Sequence, residues 1–153
     1  MNKKIGLILG VLLVSVLSGC ATVPMDTAEQ DIIRKTFDKP SDGKAGIYIY
    51  RDSSFGGALK KYIKIDGFPV GDTGPNTYFY VEVAPGSHKV ATQSEFGENE
   101  VVLETVGEQN YYIRQYIKMG LMVGGAELKI VDSNAGQKGV LSCKLARSNF
   151  ESW

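Results

Sequence analysis

Short β-type runs separated by turn residues fill the chain from Ala45 to Val131 and constrain its fold more than any other feature. Such runs, punctuated by Gly, Pro, Asn and Asp, are typical of an all-β sandwich or barrel. No helical pattern alternates with them, as a parallel α/β sheet would require. We therefore predict an antiparallel β-sandwich of about seven strands within residues 45–146. The runs are Ile47–Tyr50, Leu59–Ile65, Thr77–Val83, His88–Gln93, Val101–Val106, Tyr111–Lys118 and Glu127–Val131.

Glycines mark two of the predicted turns and weigh against one helix. Asp66-Gly67 and Pro85-Gly86 each place a glycine where a tight turn needs a positive φ. Gly136 and Gly139 weaken a helix near the end of the chain. We therefore expect Val140–Ala146 to form either a short helix or a last strand.

The segments on either side of the predicted sandwich are polar. Residues 20–44 are predicted to be a tether that holds the domain away from a membrane. Asp26 or Thr27 could cap a short helix within it. Residues 147–153 are predicted to form a C-terminal tail.

The first residues have the features of an export signal. Lys3 and Lys4 precede the uncharged run Ile5–Leu17. That run is shorter than the roughly 20 helical residues that a bilayer crossing needs, and it matches the apolar region of a signal peptide. We therefore predict that residues 1–19 are a signal peptide.

The next four residues, Leu17-Ser18-Gly19-Cys20, resemble the bacterial lipobox, in which small residues precede a cysteine. The resemblance implies cleavage between Gly19 and Cys20 and triacylation of Cys20, which would hold the chain stably on a membrane. Ala21 in place of Asp then implies an outer-membrane protein that faces the periplasm. An inner-membrane location, a Gram-positive surface, an ordinary signal peptide and an anchor helix are the alternatives.

Charge and cysteine content exclude several classes of protein. The chain has 17 basic and 17 acidic residues, so it has no overall basic field to hold nucleic acid. Two cysteines exclude a four-cysteine zinc site and a disulfide-stapled miniprotein. Because lipidation would consume Cys20, Cys143 is left without a partner. Its neighbours Leu141 and Leu145 predict a buried thiol, with intermolecular pairing or nucleophilic reactivity as weaker alternatives.

Two turn motifs carry a family resemblance. Ile63 to Gly71, which contains Asp66-Gly67, is followed by Val83 to Val90, which contains Pro85-Gly86-Ser87-His88. The pair resembles the PEGA-type surface β-module, and the arrangement is similar to a family of small bacterial lipoproteins with a domain of unknown function. The resemblance covers roughly residues 45–146. It implies a β-sandwich with a structural or binding role and brings no catalytic residues.

Tyrosine is the most informative side chain within the predicted strands. A period of two places the aliphatic residues on a core face and most tyrosines on the opposite face, among Lys, Arg and Glu. We predict that this second face is half-exposed. It could serve for cross-strand aromatic packing or as a platform for a sugar polymer or protein partner. The tyrosines are Tyr48, Tyr50, Tyr62, Tyr78, Tyr80, Tyr112 and Tyr116.

Three other features are candidate sites. His88 is the single histidine, so a hydrogen-bonded structural role is favoured over metal ligation or acid–base chemistry. The acidic stretch from Glu95 to Glu104 matches no calcium loop and is read as a solvated hairpin. The apolar run Met119–Gly125 is predicted to be a buried crossover or hairpin, with an exposed loop that contacts a partner or membrane as the alternative.

The sequence thus indicates a non-enzymatic envelope lipoprotein. It would be held by membrane lipid through Cys20 and would bind a protein partner or a wall or surface glycan. One candidate mode is strand addition at a sheet edge. We expect no metal, cofactor or catalytic residues. The alternatives are an envelope hydrolase built around His88 and a carrier of a small apolar ligand inside the sandwich.

Overall fold

A computed structural model of the chain describes residues 22–150, which form a sandwich of two β-sheets with two short helices on one outer face. In chain order the elements are α1 (Ala28–Arg34), β1 (Ala45–Arg51), β2 (Lys61–Ile65), β3 (Phe68–Thr73), β4 (Thr77–Val83), β5 (Gly86–Gln93), β6 (Glu98–Thr105), β7 (Asn110–Lys118), β8 (Gly125–Val131), α2 (Ser133–Leu141) and β9 (Lys144–Leu145). The strand order is β8-β7-β1-β4-β9 in the first sheet and β3-β2-β5-β6 in the second sheet. The predicted all-β sandwich is therefore confirmed.

Two of these strands lie outside the runs predicted from the sequence. β3 contains Pro69 and Gly71, which weaken a strand pattern, and it lies at a sheet edge, where proline is tolerated. β9 has only two residues and pairs with the start of β4. The C-terminal helix is also present, but it begins at Ser133, earlier than the sequence indicated.

The first sheet is mixed, although the second is antiparallel throughout. β1 pairs antiparallel with β4 and parallel with β7, and β9 runs parallel to β4. The chain alternates between the two sheets after β1, so β7 re-enters the first sheet in the same direction as β1. The prediction of a wholly antiparallel sandwich therefore describes only the second sheet.

The main core fills the space between the sheets. It takes alternate residues of each strand, including Ile47 and Ile49 from β1 and Ile63 and Ile65 from β2, all with no exposed surface. This is the aliphatic face that the period-two pattern predicted. Burying such a side chain contributes about 1.5–3 kcal/mol, so this core is the main source of stability.

Gln115 of β7 is a buried polar residue that ties the two sheets together. Its Oε1 lies 2.5 Å from the Thr73 hydroxyl of β3, and its Nε2 donates to the Thr92 hydroxyl of β5 at 2.7 Å. All three side chains are buried. Leaving a buried group unpaired costs about 1–3 kcal/mol, so this cluster fixes how β7 faces the second sheet.

The turn predictions based on glycine agree with the backbone. Asp66 and Gly67 have φ of 51° and 84°, the two positive values of a tight hairpin turn. Gly86 has a backbone φ of 145°, a value that residues other than glycine rarely adopt.

Residues 22–44 pack on the domain, so the predicted tether is wrong for this part. Val23 joins the main core, Met25 forms a β-bridge with Ala146, and the amide of Arg147 donates to the carbonyl of Pro24 at 2.9 Å. The predicted tail is also fastened, because the Asn149 amide donates to the Val70 carbonyl at 2.8 Å. The polar composition of both segments did not predict this packing. Backbone hydrogen bonds hold them in place, and such bonds leave no pattern of apolar residues in the sequence.

Candidate functional site

The tyrosine-rich face of the first sheet is covered, not half-exposed. Tyr48, Tyr50, Tyr78 and Tyr112 are each at most 2% exposed and form a second hydrophobic cluster beneath the helices. The period-two pattern therefore predicted the correct face for them but the wrong environment. The prediction of a half-exposed face was wrong because neither helix carries the apolar stripe that would indicate packing on a sheet.

Two glycines bring α2 onto the tyrosine rings. A Cβ on Gly136 would lie 2.2 Å from Cγ of Tyr112, and a Cβ on Gly139 would lie 2.1 Å from Cε2 of Tyr50. Any larger residue would push the helix away. Asp132 starts the helix by accepting a hydrogen bond from the Ala135 amide at 2.9 Å. The glycines that weaken the helix in isolation are thus what lets it dock.

Polar contacts hold α1, which buries none of its own residues. The Tyr48 hydroxyl donates to the Arg34 carbonyl at 2.7 Å, and the Tyr78 hydroxyl lies 3.4 Å from the Asp31 carbonyl. The Asp31 carboxylate also accepts from the Leu145 amide at 3.1 Å. The Asp31 and Arg34 carbonyls already accept from the amides of Lys35 and Phe37 at 3.2 and 3.3 Å. The tyrosine hydroxyls are therefore second donors that fasten the C-terminal end of the helix to the sheet.

Aromatic packing completes this cluster. The rings of Tyr48 and Tyr112 stack with centroids 5.2 Å apart, and Phe37 lies 5.5 Å from Tyr48. Burial raises the pKa of Tyr48, Tyr50, Tyr78 and Tyr112 above the ordinary phenol value. These phenols stay neutral and serve as packing and hydrogen-bonding groups, which fits the first of the two roles predicted for them.

The remaining tyrosines of the candidate face are partly exposed and lie apart from one another. Tyr80 is covered by the Arg34 guanidinium, 4.3 Å from the ring centroid. Tyr116 donates to Glu127 at the β7–β8 hairpin. Tyr62 belongs to the second sheet, where it donates to Glu98 at 2.8 Å. The seven tyrosines therefore do not form one platform.

His88 and Cys143 occupy structural positions. The His88 ring nitrogens lie 2.7 Å from the Asp66 carboxylate and 2.7 Å from the Ala84 carbonyl, which confirms a hydrogen-bonded histidine. Cys143 is 2% exposed, which confirms its predicted burial, and burial raises the pKa of its thiol to about 11. Within residues 22–150, no three His, Cys, Asp or Glu side chains group as ligands of one metal ion would. The lipidation and cleavage positions Cys20 and Gly19 lie outside these residues.

The apolar run after β7 is exposed, so its predicted burial is wrong. Residues 119–124, here called the apolar loop, join β7 to β8. Met119, Leu121 and Met122 are 84%, 94% and 84% exposed, and Val123 is 56% exposed. Phe96, 76% exposed, lines a shallow depression of about 260 Å³ together with Met119. The alternative predicted for this run, an exposed apolar loop, is the one that the structure contains.

The carboxylate of Glu95 organises the apolar loop. It accepts hydrogen bonds from the amides of Leu121, Met122 and Val123 at 2.9, 2.6 and 3.2 Å. The bonds from Met122 and Leu121 hold the pKa of Glu95 below its ordinary range. Sequence reasoning missed this residue, because Glu95 lies 26 residues from Leu121 and looked like one charge of a solvated stretch.

The fold and surface define a class: a two-sheet sandwich with one helix-covered face and an apolar loop at one end. The chain belongs to the family described as "Protein of unknown function (DUF2846)", which it matches over residues 41–126, more than half of its length. The expected family with a domain of unknown function is confirmed at this level.

The chain is also similar to an individual protein. An "Uncharacterized protein" of Haemophilus influenzae is 43% identical over 142 residues, which is 93% of this chain and 83% of the relative. No solved structure matches the chain. Among the helices within residues 22–150, none has the length and apolar character needed to cross a membrane.

Proposed function

We propose that the protein is a non-enzymatic envelope lipoprotein that faces the periplasm from the outer membrane. A triacylated Cys20 would anchor it, and the folded domain would hold a protein partner or a glycan near that membrane. The apolar run Ile5–Leu17 and the following Leu17-Ser18-Gly19-Cys20 support the anchor. The Asp66-Gly67 and Pro85-Gly86 turns, with glycines at positive φ, support the likeness to PEGA-type modules.

The observation that carries this proposal is the firm attachment of the chain from Val23 onward, three residues after Cys20. Val23 is buried in the main core and Pro24 and Met25 pair with the segment after β9. An acyl group on Cys20 would therefore be separated from the folded domain by a few residues, not by a long linker. Such an anchor would hold the domain at the bilayer surface and restrict which faces a partner can reach.

A binding role fits the placement of the reactive groups better than a hydrolytic one. Both ring nitrogens of His88 are occupied by Asp66 and Ala84, and the Cys143 thiol is buried. The edge strand β6 offers a surface for strand addition, because it pairs with β5 along eight residues and presents Val102 at 59% exposure.

Acylation and membrane retention test the anchor. Cells that express the native chain, Cys20→Ser or Cys143→Ser would be fed a labelled fatty acid and fractionated. We expect label and membrane retention in the native chain and in Cys143→Ser, and loss of both in Cys20→Ser. Label that persists in Cys20→Ser would contradict the proposal.

Crosslinking in intact cells tests the binding role. A photoreactive residue at Val102 would report a partner on the β6 edge, and one at the exposed Leu141 of α2 would serve as the control. A protein or glycan captured from Val102 but not from Leu141 is expected. Capture from neither position in membrane-bound protein would contradict a role for this edge.

A further inference from the structure

We propose that the apolar loop inserts into the interface of a phospholipid bilayer, so that the domain rests on the membrane through this loop as well as through its anchor. The orientation rests on the proposed acylation of Cys20. The apolar character and exposure of the loop are independent of that proposal.

The apolar loop forms the tip of one end of the sandwich. Arg51 ends β1 opposite Thr77, where β4 begins, and Arg114 of β7 pairs with Tyr50. The β7–β8 hairpin therefore continues for three residue pairs beyond the end of β1, roughly 10 Å at the rise of a strand. The loop then projects from Lys118, which pairs with Gly125.

The chain enters the described structure toward this same end. Thr22 lines a surface depression with Pro75 and Asn76, which precede β4, and with Thr77, the first residue of β4. One residue, Ala21, lies between Thr22 and Cys20, so their Cα atoms are at most about 7 Å apart. An acyl anchor on Cys20 would thus hold the loop end, not the opposite end, next to the bilayer.

The loop has the chemistry of a shallow membrane contact. Leu121, Met122 and Met119 point large apolar side chains into solvent, and Phe96 stands beside them. Monomeric proteins seldom expose such a group of apolar side chains without an interaction to cover it. Burial in the acyl boundary of a bilayer would remove this surface from water.

The hydrogen bonding of the loop backbone also favours its transfer from water into a bilayer. An amide that loses its hydrogen-bond partner in a bilayer is strongly unfavourable, and three of the loop amides already donate to Glu95. Arg51 stiffens the neighbouring loop, because its guanidinium donates to the carbonyls of Phe55, Gly56 and Leu59 at 3.0, 2.9 and 2.8 Å. The loop end can therefore enter the interface without unfolding.

A bilayer is favoured over a protein partner as the occupant of this surface. Acylation at Cys20 would keep the loop within a few nanometres of lipid at all times, which raises the effective concentration of bilayer around it. A protein partner would have to compete with the nearby bilayer for the apolar loop.

Depth-dependent fluorescence quenching tests this inference on the full chain in its acylated form, reconstituted in vesicles of phosphatidylethanolamine and phosphatidylglycerol. Leu121→Cys would be labelled with an environment-sensitive dye, and Val106→Cys would be the control. Val106 is also an exposed apolar residue, at 58%, but it follows β6 at the opposite end of the sandwich. We expect a blue-shifted emission that lipid-attached spin labels quench at position 121, and neither effect at position 106.

A second variant checks that the loop side chains cause the insertion. With the dye at Val123→Cys, the double change Leu121→Ser and Met122→Ser should abolish the quenching, whereas Leu141→Ser on α2 should leave it unchanged. Leu141 is exposed to a similar extent as Val123, at 57%. Quenching that survives the loop changes would overturn the inference.

The outcomes separate this inference from the proposed anchor. Mass measurement of the same sample reports acylation of Cys20. An acylated chain whose position 121 stays in water, or is captured by a protein without lipid quenching, overturns the loop inference and leaves the anchor intact. A protein whose Cys20 is unmodified contradicts the anchor, and a quenched label at position 121 of that protein in a Cys20→Ser background still supports the loop inference.

Discussion

Gly139 of α2 lies against the ring of Tyr50 so closely that a Cβ at position 139 would be 2.1 Å from Cε2. Tyr50 is 2% exposed, and its burial depends on this approach. Together with Gly136 against Tyr112, the contact converts the outer face of the first sheet from a surface into a second core. The tyrosine face is therefore not available as a binding platform, whereas the apolar loop is exposed.

Replacing Gly139 by alanine should destabilise the protein, although alanine favours an isolated helix. We expect a loss of about 1–3 kcal/mol, because the added methyl group overpacks the contact with Tyr50. Thermal or urea unfolding measures this loss. Lys138→Ala, an exposed change in the same helix, should have an effect within about 0.5 kcal/mol. A stabilised Gly139→Ala protein would show that α2 does not sit on Tyr50.

Gly86→Val should cost about 1–3 kcal/mol, because φ of 145° is strained for any residue with a side chain. Gly107→Ala is a suitable control, since its φ is not positive and a Cβ there would meet its nearest neighbour at 3.6 Å. Urea unfolding of both variants measures the difference. Equal, small effects would contradict the geometry of the β4–β5 turn.

The thiol of Cys143 should resist alkylation in the folded protein. It is buried and burial raises its pKa to about 11, so little thiolate is available at pH 8. Labelling with iodoacetamide, followed by mass spectrometry, should proceed only as fast as the protein opens, and in urea it should be complete. Rapid labelling without denaturant would contradict the packing of β9 against the tyrosine cluster.

Alkaline pH should destabilise the fold through its buried phenols. The pKa values of Tyr48, Tyr50, Tyr78 and Tyr112 are raised in the folded state, whereas the unfolded chain titrates near 10. Their contribution to stability is therefore complete below about pH 10 and declines as the pH rises above that value. Absorbance at 295 nm should show these phenols ionising together with the loss of near-ultraviolet circular dichroism. Ionisation of all eight tyrosines near pH 10 with the fold intact would contradict their burial.

Local patterns predicted the sandwich because each strand carries its own signal. The alternation in β1 and β7 identified the core face, and the glycines at Gly67 and Gly86 identified two turns. α1 and α2 could not be predicted as covers, because one buries none of its residues and the other docks through glycines. Neither mechanism leaves a hydrophobic period in the sequence.

The prediction that the apolar loop is buried was wrong for a different reason. A run of apolar residues predicts burial because most such runs are buried. Its exposure depends on Glu95, whose carboxylate satisfies the loop amides from a distant hairpin. A contact over that sequence distance has no local signature. Nothing in the sequence distinguishes Glu95 from the other acidic residues of the same stretch as the one that contacts the loop.

The mass of the intact chain extracted from cell membranes tests the central claim most directly. The account predicts a chain that begins at Cys20 and carries the added mass of a diacylglyceryl group and an N-acyl group. A membrane-bound chain that retains residues 1–19, or one that begins at an unmodified Cys20, would contradict it.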